Sequence, residues 1–372
     1  MRVHVVDPSA YTPPYDDALC RALAAAGAQV QLQTSRFGYG ELAPPQGYER
    51  VERFYRHSHG ARAQAPGGPR RRAELALKLA EHVPDMLRYR RAARAADVVH
   101  FQWLTVQPLD VHLLPRGRPL VLTAHDVLPR EPRPGQLAAQ RRLYERMDAV
   151  VVHSEHGRDR LVRELGIDGD RVHVIAHGAL APQPVGEPRL PPELGSPPED
   201  RLVVLFFGLL RPYKGLDVLL RAWAGVESAE LWVVGMPRMD TAPLRAQAPP
   251  GVRFVERFVS ENESAALFAR AGLVVLPYRE IDQSGVAFTA LGTGTPILAS
   301  AVGGLPELAD TGAARLVAPG DVEALRAALQ AMLADRPGLE MMAAAARAAA
   351  AGPYSWEAIA RQTLELYGAL AG

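Results

Sequence analysis

Two basic side chains in the segment LRPYKGLDVLL have the types and the spacing to bind a phosphate. The chain has 42 lysines and arginines, and Lys214 is one of only two lysines. It follows Arg211 in a turn bounded by Gly208 and Gly215, after an apolar run. Arginine offers phosphate a planar fork, whereas lysine is a compact point charge that fits a narrower space. We therefore expect Lys214 to be required by its chemistry; an ordinary surface lysine is the alternative.

A second candidate anion site follows the apolar run LVVLPY, in the segment REIDQSGVAFTALGTGTP. Ser284, Gly285 and Val286 open a predicted helix, and the first N–H groups of a helix are available to a phosphate. Glu280 and Asp282 lie just upstream and could accept hydrogen bonds from sugar hydroxyls. Ordinary capping of the helix by Asp282 or Ser284 is the alternative. A cationic turn and a helix N-terminus together would suit a diphosphate leaving group.

Aromatic and polar side chains end two apolar runs in the first half of the chain. His125 closes VLTAHD, and ADVVHFQW carries Gln102 and Trp103, which suit a sugar or a lipid-linked acceptor. A structural role is the alternative for His125, and it is the role we favour for His153 and His177. The histidines lack metal-ligand spacing and the chain has one cysteine, so we expect no metal site.

The elements that must position these side chains alternate between strand and helix. Short β-branched runs separated by amphipathic helices predict parallel strands with crossover helices, which is a doubly wound α/β fold. The pattern breaks at the Pro-rich stretch 181–200, which we interpret as a linker, and then restarts. A length of 372 residues suits two domains, for which we predict bounds near 1–182 and 183–353 with a cleft between them.

The charge is uneven: residues 1–186 carry 26 Lys+Arg against 20 Asp+Glu, although the whole chain has a net charge of only +1. Basic stretches at 70–72 and 88–94 indicate a solvated helix face, or attraction to an anionic membrane surface or a phosphorylated acceptor. Nucleic acid is not expected, because the basic stretches lack interleaved aromatic residues. With no apparent membrane span or signal peptide, we expect a cytoplasmic protein, with peripheral membrane association as an option.

With these motifs in order, the chain resembles retaining glycosyltransferases of family four, which have the GT-B fold. The segments that carry the resemblance are VVHSEHGRDRLVRELG, VHVIAHG, FFGLLRPYKGLDVLLRAW and LVVLPYREIDQSGVAFTALGTGTPILASAVGGLPEL. The fold implies two Rossmann-like domains facing across a cleft, an N-terminal one for the acceptor and a C-terminal one for the nucleotide sugar. The final helix, within 354–372, would pack back on the N-terminal domain.

The resemblance implies a role for each matching residue. Arg211 and Lys214 would bind the diphosphate of the donor, and His125 would lie beside the anomeric carbon of the sugar. The remaining expected donor contacts are the backbone of Ser284, Gly285 and Val286, and Phe258 and Val259 near the base. Tyr15, in the loop PSAYTPPY, and Trp103 would border the acceptor.

The chain departs from the family pattern at two places. The family often has two glutamates eight positions apart; here Thr289 occupies the second position, and the first is replaced by Asp282 or displaced to Glu280. The family arginine often follows the glycine directly, where this chain has Leu209.

The implied reaction is transfer of a hexose from a nucleotide diphosphate sugar to a hydroxyl of a glycan or lipid-linked acceptor, with retention, and without metal or cofactor. Bacterial polysaccharide or glycolipid synthesis is the expected setting. The alternatives are a nucleotide-sugar epimerase, a glycoside phosphorylase and a non-catalytic partner that binds nucleotide sugar.

Overall fold

The computed structural model describes residues 1–58, 69–104, 106–129, 132, 134–195 and 201–372, and the side chains of 69–75 are not described. These residues form two compact units. Unit 1 comprises Met1–Ala176 and Trp356–Gly372, and unit 2 comprises His177–Ser355.

The strands are short and mostly apolar. They are β1 (Arg2–Asp7), β2 (Gln29–Ser35), β3 (Glu49–Phe54), β4 (Val98–Phe101), β5 (Leu120–Thr123), β6 (Ala149–Val152), β7 (Val172–Val174), β8 (Leu202–Phe207), β9 (Ala229–Val234), β10 (Val252–Val255), β11 (Leu273–Leu276), β12 (Ile297–Ser300) and β13 (Ala314–Val317).

The helices alternate with these strands and then close the chain. They are α1 (Pro13–Ala25), α2 (Pro69–Ala92), α3 (Gln107–Leu113), α4 (Gln136–Glu145), α5 (Glu155–Leu165), α6 (Leu216–Ala222), α7 (Ala242–Ala246), α8 (Glu261–Arg270), α9 (Gly285–Thr293), α10 (Val322–Ala334), α11 (Arg336–Ala351) and α12 (Trp356–Ala371).

Each unit is built on one parallel sheet within the described residues. The order is β3-β2-β1-β4-β5-β6-β7 in unit 1 and β10-β9-β8-β11-β12-β13 in unit 2. Central strands such as β6 and β11 are buried at every residue, because helices cover both faces of such a sheet. The predicted doubly wound α/β class is confirmed.

The strand order identifies where each unit can bind a ligand. It reverses between β1 and β4 in unit 1 and between β8 and β11 in unit 2. Ligands of such sheets bind beyond the carboxyl ends of the strands at this reversal. The loops after β1, β4, β8 and β11 are therefore the relevant ones, and they hold most of the candidate residues.

The predicted linker was wrong in position. The unit boundary falls between Ala176 and His177, before the Pro-rich stretch. The described part of that stretch is tied to unit 2: the Val185 N–H donates to the Asn262 side chain (2.8 Å), and Leu194 is fully buried in the core. Residues 196–200 lie outside the described residues.

The final helix belongs to unit 1. In α12 the Tyr367 hydroxyl lies 2.6 Å from His100 Nδ1, and the Trp356 ring centroid lies 5.2 Å from that of Tyr15 in α1. Both contacts bury aromatic side chains that an amphipathic helix would otherwise expose.

Candidate functional site

The turn after β8 places the Lys214 ammonium in a buried position. Residues Pro212–Lys214 form one 3₁₀ turn, and Gly215 ends it in the left-handed region at φ +68°. A Cβ at Gly215 would lie 2.0 Å from the Pro277 carbonyl oxygen, so only glycine permits this approach of the two loops. Lys214 is only 7% exposed, and its Nζ lies 3.4 Å from the Phe207 carbonyl oxygen.

The same ammonium lies beside the loop after β11. Its Nζ is 5.3 Å from the centroid of the Tyr278 ring, a cation–π distance. A Cβ on Gly208 would lie 2.8 Å from Lys214 Nζ and 3.3 Å from a methyl of Val286. Gly208 thus lies close to both Lys214 and the first turn of α9.

The N-terminus of α9 is open at its first residue. Ser284 is the N-cap, and its Oγ accepts a hydrogen bond from the Ala287 N–H (3.4 Å). Apart from its chain neighbours and the backbone of α9, no atom lies within 4 Å of where a Cβ at Gly285 would be. The first N–H groups of α9 can therefore be approached closely by an anion, and the Lys214 ammonium lies near the same helix turn.

An ion pair joins the two loops. Arg279 donates to both carboxylate oxygens of Asp217, at 2.9 and 2.6 Å, and also to the Pro212 carbonyl oxygen (2.9 Å). The Arg279 backbone N–H donates to the Tyr213 carbonyl oxygen (2.8 Å). Hydrogen bonding to Arg279 lowers the pKa of Asp217. These contacts fix the turn that carries Lys214 against the loop that leads to α9.

Unit 1 presents a cluster of aromatic and imidazole rings after β4 and β5. The His125 ring stacks on Trp103 with centroids 5.1 Å apart, and the Tyr15 and His125 rings meet in a T-shaped arrangement with centroids 4.7 Å apart. Trp103 and His125 are half-buried, whereas Tyr15 is 4% exposed. Burial raises the pKa of the Tyr15 hydroxyl. Trp103 and His125 are exposed enough to contact a sugar, whereas Tyr15 is buried against His125.

Both ring nitrogens of His125 have protein partners. His153 Nδ1 lies 3.0 Å from the Ile175 carbonyl oxygen, to which it must donate. Burial lowers the pKa of His153 to about 4, so the ring is neutral and its Nε2 accepts from His125 Nδ1 at 3.3 Å. His125 Nε2 lies 3.0 Å from Gln102 Oε1. His125 is therefore oriented by a chain of contacts that begins at a backbone carbonyl.

The described residues contain no group of three or more His, Cys, Asp or Glu side chains placed to hold a metal ion. Across the same ranges, no helix has both the length and the unbroken apolar character needed to cross a bilayer.

Comparisons with known proteins place this geometry in a family. The model described as "Glycosyltransferase Family 4" matches residues 17–179, and "Glycosyl transferases group 1" matches residues 201–335. A D-inositol 3-phosphate glycosyltransferase of Nocardioides sp. is 31% identical, over 94% of this chain and 83% of its own length. The chain belongs to glycosyltransferase family 4.

Other relatives of this family 4 chain are matched over less of their length. A D-inositol 3-phosphate glycosyltransferase of Streptomyces scabiei is 29% identical over 72% of the chain, and the chain spans 65% of that relative. The chain spans 55% of the corresponding Streptomyces coelicolor protein. An alpha-maltose-1-phosphate synthase of Mycolicibacterium smegmatis is 29% identical over 74% of the chain and 79% of its own length.

Solved structures share the GT-B fold of this family 4 chain. Sucrose-phosphate synthase from Thermosynechococcus elongatus superposes with a TM-score of 0.73 at 21% identity, covering 100% of this chain and 99% of that one. Anabaena Alr3699/HepE in complex with UDP and glucose superposes with a TM-score of 0.69 at 19% identity, over 100% of both chains.

The other predicted donor residues differ in exposure and in their hydrogen bonds. Arg211 and Glu280 are exposed, in the loops after β8 and β11. Asp282 is 5% exposed, and its carbonyl oxygen accepts from the Gly304 N–H (3.1 Å). Thr289, which occupies the second glutamate position of the family, donates its hydroxyl to the Gly285 carbonyl oxygen (3.0 Å).

Phe258 and Val259 follow β10, an edge strand two places from β8. Phe258 is half-buried, and its carbonyl oxygen accepts from Arg257 (3.0 Å). Val259 is 7% exposed and packs in the same core as Tyr278. Their place near the base is a prediction that these contacts do not test.

Sequence reasoning missed three residues of the candidate site. Tyr278, Arg279 and Asp217 join the loops after β8 and β11, but their pairing depends on β8 and β11 being neighbours in the sheet. The one signal in the sequence is position: Asp217 lies three residues after Lys214, and Tyr278 and Arg279 lie two and three residues after the end of β11.

Proposed function

We propose that the protein transfers a hexose from a nucleotide diphosphate sugar to an acceptor hydroxyl with retention at the anomeric carbon. The observation that carries the proposal is the buried ammonium of Lys214 beside the open N-terminus of α9. A cation beside the first N–H groups of a helix suits the two phosphates of a leaving nucleotide. Unit 2 would bind the donor and unit 1 the acceptor.

The reaction in this proposal needs no side-chain base. The acceptor hydroxyl attacks the anomeric carbon from the face that the diphosphate leaves, and the departing phosphate oxygen takes the hydroxyl proton. Lys214, Arg211 and the α9 N–H groups stabilise the negative charge that develops on the diphosphate, so no divalent metal or cofactor is required. Both nitrogens of His125 are engaged within unit 1, so its role is to position the sugar, through the ring edge or backbone.

UDP is the first nucleotide to test as part of the donor, because the HepE structures contain UDP or UDP-glucose. GDP and ADP sugars are the matched alternatives. A glycan or lipid-linked acceptor at the inner face of a bacterial membrane, in polysaccharide or glycolipid synthesis, fits the excess of basic residues in 1–186.

The test is product analysis with a panel of UDP, GDP and ADP sugars, with and without a chelator. We expect one nucleotide sugar to be consumed with transfer to an acceptor, with the chelator making no difference. Lys214→Arg should lose most turnover, whereas Arg315→Lys, an exposed position on β13, should retain it. Interconversion of sugars without acceptor would indicate an epimerase, and phosphate-dependent cleavage a phosphorylase. Donor binding without any turnover would favour a non-catalytic partner.

A further inference from the structure

The second lysine of the chain, Lys78, also holds its ammonium in a half-buried place. It lies on α2, and its Nζ donates to Ser9 Oγ at 3.1 Å. The ammonium is 4.6 Å from the centroid of the Tyr55 ring. Within the described residues no Asp or Glu forms an ion pair with it, and burial lowers the pKa of Lys78. This cation retains capacity to donate to a further group.

The surface beneath Lys78 is rigid. The Tyr55 hydroxyl lies 2.8 Å from His82 Nδ1, and His82 Nε2 lies 2.8 Å from Asp110 Oδ1. These three side chains are at most 1% exposed. The Tyr55 backbone N–H donates to Asp85 (2.7 Å), which holds the residue at an unusual φ of +52°. The ring that faces the ammonium is therefore fixed in place.

The carboxylate that acts electrostatically on Lys78 already accepts hydrogen bonds from backbone N–H groups. Asp7 raises the pKa of Lys78 electrostatically, but its oxygens accept from the backbone N–H groups of Ser9, Tyr11 and Thr12. Burial raises the pKa of the neighbouring Asp16 carboxyl, which keeps the pair from carrying two full charges. Asp7 thus organises the loop after β1 and does not pair directly with the ammonium.

This loop connects Lys78 to the ring cluster of unit 1. Ser9 contacts Lys78 at one end, and at the other the Thr12 hydroxyl accepts from Trp103 Nε1 (3.0 Å). Trp103 stacks on His125. Four residues from Ser9 to Thr12 span at most about 14 Å. An acceptor longer than this loop could therefore contact both Lys78 and the ring cluster.

We propose that Lys78 and Ser9 bind a phosphate group of the acceptor. That the phosphate belongs to the acceptor rests on the proposed function, whereas the phosphate site itself does not. A phosphate monoester carries about 1.5–2 negative charges and three strong acceptor oxygens, which suit an ammonium and a hydroxyl together. A compact ammonium fits between the Tyr55 ring and the loop after β1, which explains a lysine in a chain otherwise rich in arginine. The phosphate could belong to a soluble sugar phosphate or to a lipid-linked phosphate.

The test measures thermal stability of the full chain against glucose 1-phosphate, glucose 6-phosphate and a short-chain polyprenyl phosphate in detergent, at constant ionic strength. Unphosphorylated glucose is the ligand control. The variant is Lys78→Met, and the matched control is Arg91→Met, which removes an exposed positive charge from the same helix. We expect at least one phosphate to stabilise wild type and Arg91→Met, with its Kd raised about tenfold or more in Lys78→Met. Stabilisation by a glucose phosphate would indicate a soluble source of the phosphate, and stabilisation by the polyprenyl phosphate would indicate a lipid-linked source.

Equal stabilisation of wild type and Lys78→Met would overturn the proposal, as would the lack of any shift in wild type. If Lys78→Met unfolds at a lower temperature without ligand, Lys78→Gln provides the same comparison. A shift that is lost in Lys214→Ala and kept in Lys78→Met would place the phosphate in unit 2 and also overturn it. If nucleotide-sugar turnover is absent but Lys78-dependent phosphate binding remains, the proposed function fails and the phosphate site stands.

Discussion

Arg279 and Asp217 form a two-point ion pair 62 residues apart in sequence, with oxygen–nitrogen distances of 2.9 and 2.6 Å. It links the loop after β11 to the first turn of α6, immediately after Lys214. The two side chains are 42% and 38% exposed, so the pair itself adds at most about 1 kcal/mol to stability. Its main effect is to fix the turn in place.

Asp217→Asn should therefore weaken nucleotide binding more than it weakens the fold. Loss of one charge frees Arg279 and lets the Lys214 turn move, and we expect the Kd for the nucleotide to rise by roughly 3–10-fold, equivalent to about 1 kcal/mol. Calorimetric titration measures it, with Glu227→Gln, an exposed acid in unit 2, as the control. Unchanged affinity in Asp217→Asn would show that the turn does not depend on the pair.

Gly208→Ala should displace the Lys214 ammonium. The added Cβ would lie 2.8 Å from Nζ, and Gly208 has φ +101°, which alanine adopts only with strain. We expect loss of nucleotide binding and a stability loss of about 1 kcal/mol or more. Gly225→Ala has a similar positive φ of +83° but no atom within 4 Å of its Cβ, and it controls for backbone strain. Similar affinities in the two variants would contradict this account.

Gly285→Ala separates binding from folding. Apart from its two chain neighbours and the backbone of its own helix, the new methyl group meets no protein atom within 4 Å. Alanine is favoured over glycine in a helix, so stability should be unchanged or slightly higher. The methyl group would nevertheless stand where a phosphate approaches the first N–H groups of α9. Nucleotide affinity should fall by about tenfold while the melting temperature holds. Retained affinity would mean that no anion binds at that N-terminus.

Acid should destabilise unit 1 through its buried histidines. Burial lowers the pKa of His100 to about 3 and that of His153 to about 4, against an ordinary value of 6.5. Below pH 6.5 the unfolded chain gains protons that the folded chain excludes. The stabilisation linked to each neutral histidine is therefore complete above that pH, and it is lost as the pH falls toward 4 for His153 and toward 3 for His100. From pH 7 to pH 5 each histidine should lower the free energy of unfolding by about 2 kcal/mol.

Urea unfolding at the two pH values measures this loss. His100→Gln removes one titrating group, so the variant should lose about 2 kcal/mol less than wild type over the same interval, whatever its stability at pH 7. An identical loss in variant and wild type would mean that His100 is not held neutral in the folded state.

Local patterns in the sequence predicted the parts of the site that depend on neighbours in the chain. The arginine bias pointed to Lys214, and the structure gives its ammonium a buried position. The Ser-Gly-Val segment predicted the N-terminus of α9, which begins at Gly285 with Ser284 as its cap. Each of these depends on residues within a few positions.

Contacts between distant segments could not be predicted in the same way. The pairing of Arg279 with Asp217 follows from the strand order. Tyr15, which was expected at the acceptor, is 4% exposed and packs against His125 and against Trp356 of α12, a contact between distant segments. His153 was assigned a structural role, and it proves to orient His125 through one hydrogen bond. β3 and β13 were not predicted, since both are edge strands with partly exposed residues.

The most direct test of the account is calorimetric titration of UDP, GDP and ADP, without metal, into wild type, Lys214→Arg and Arg315→Lys. We expect one nucleotide to bind wild type and Arg315→Lys alike, and to bind Lys214→Arg at least about tenfold more weakly. A guanidinium is wider than the ammonium, which lies 3.4 Å from the Phe207 carbonyl oxygen and 5.3 Å from the centroid of the Tyr278 ring. Equal binding of that nucleotide by wild type and Lys214→Arg would contradict the assignment of Lys214 as the diphosphate cation.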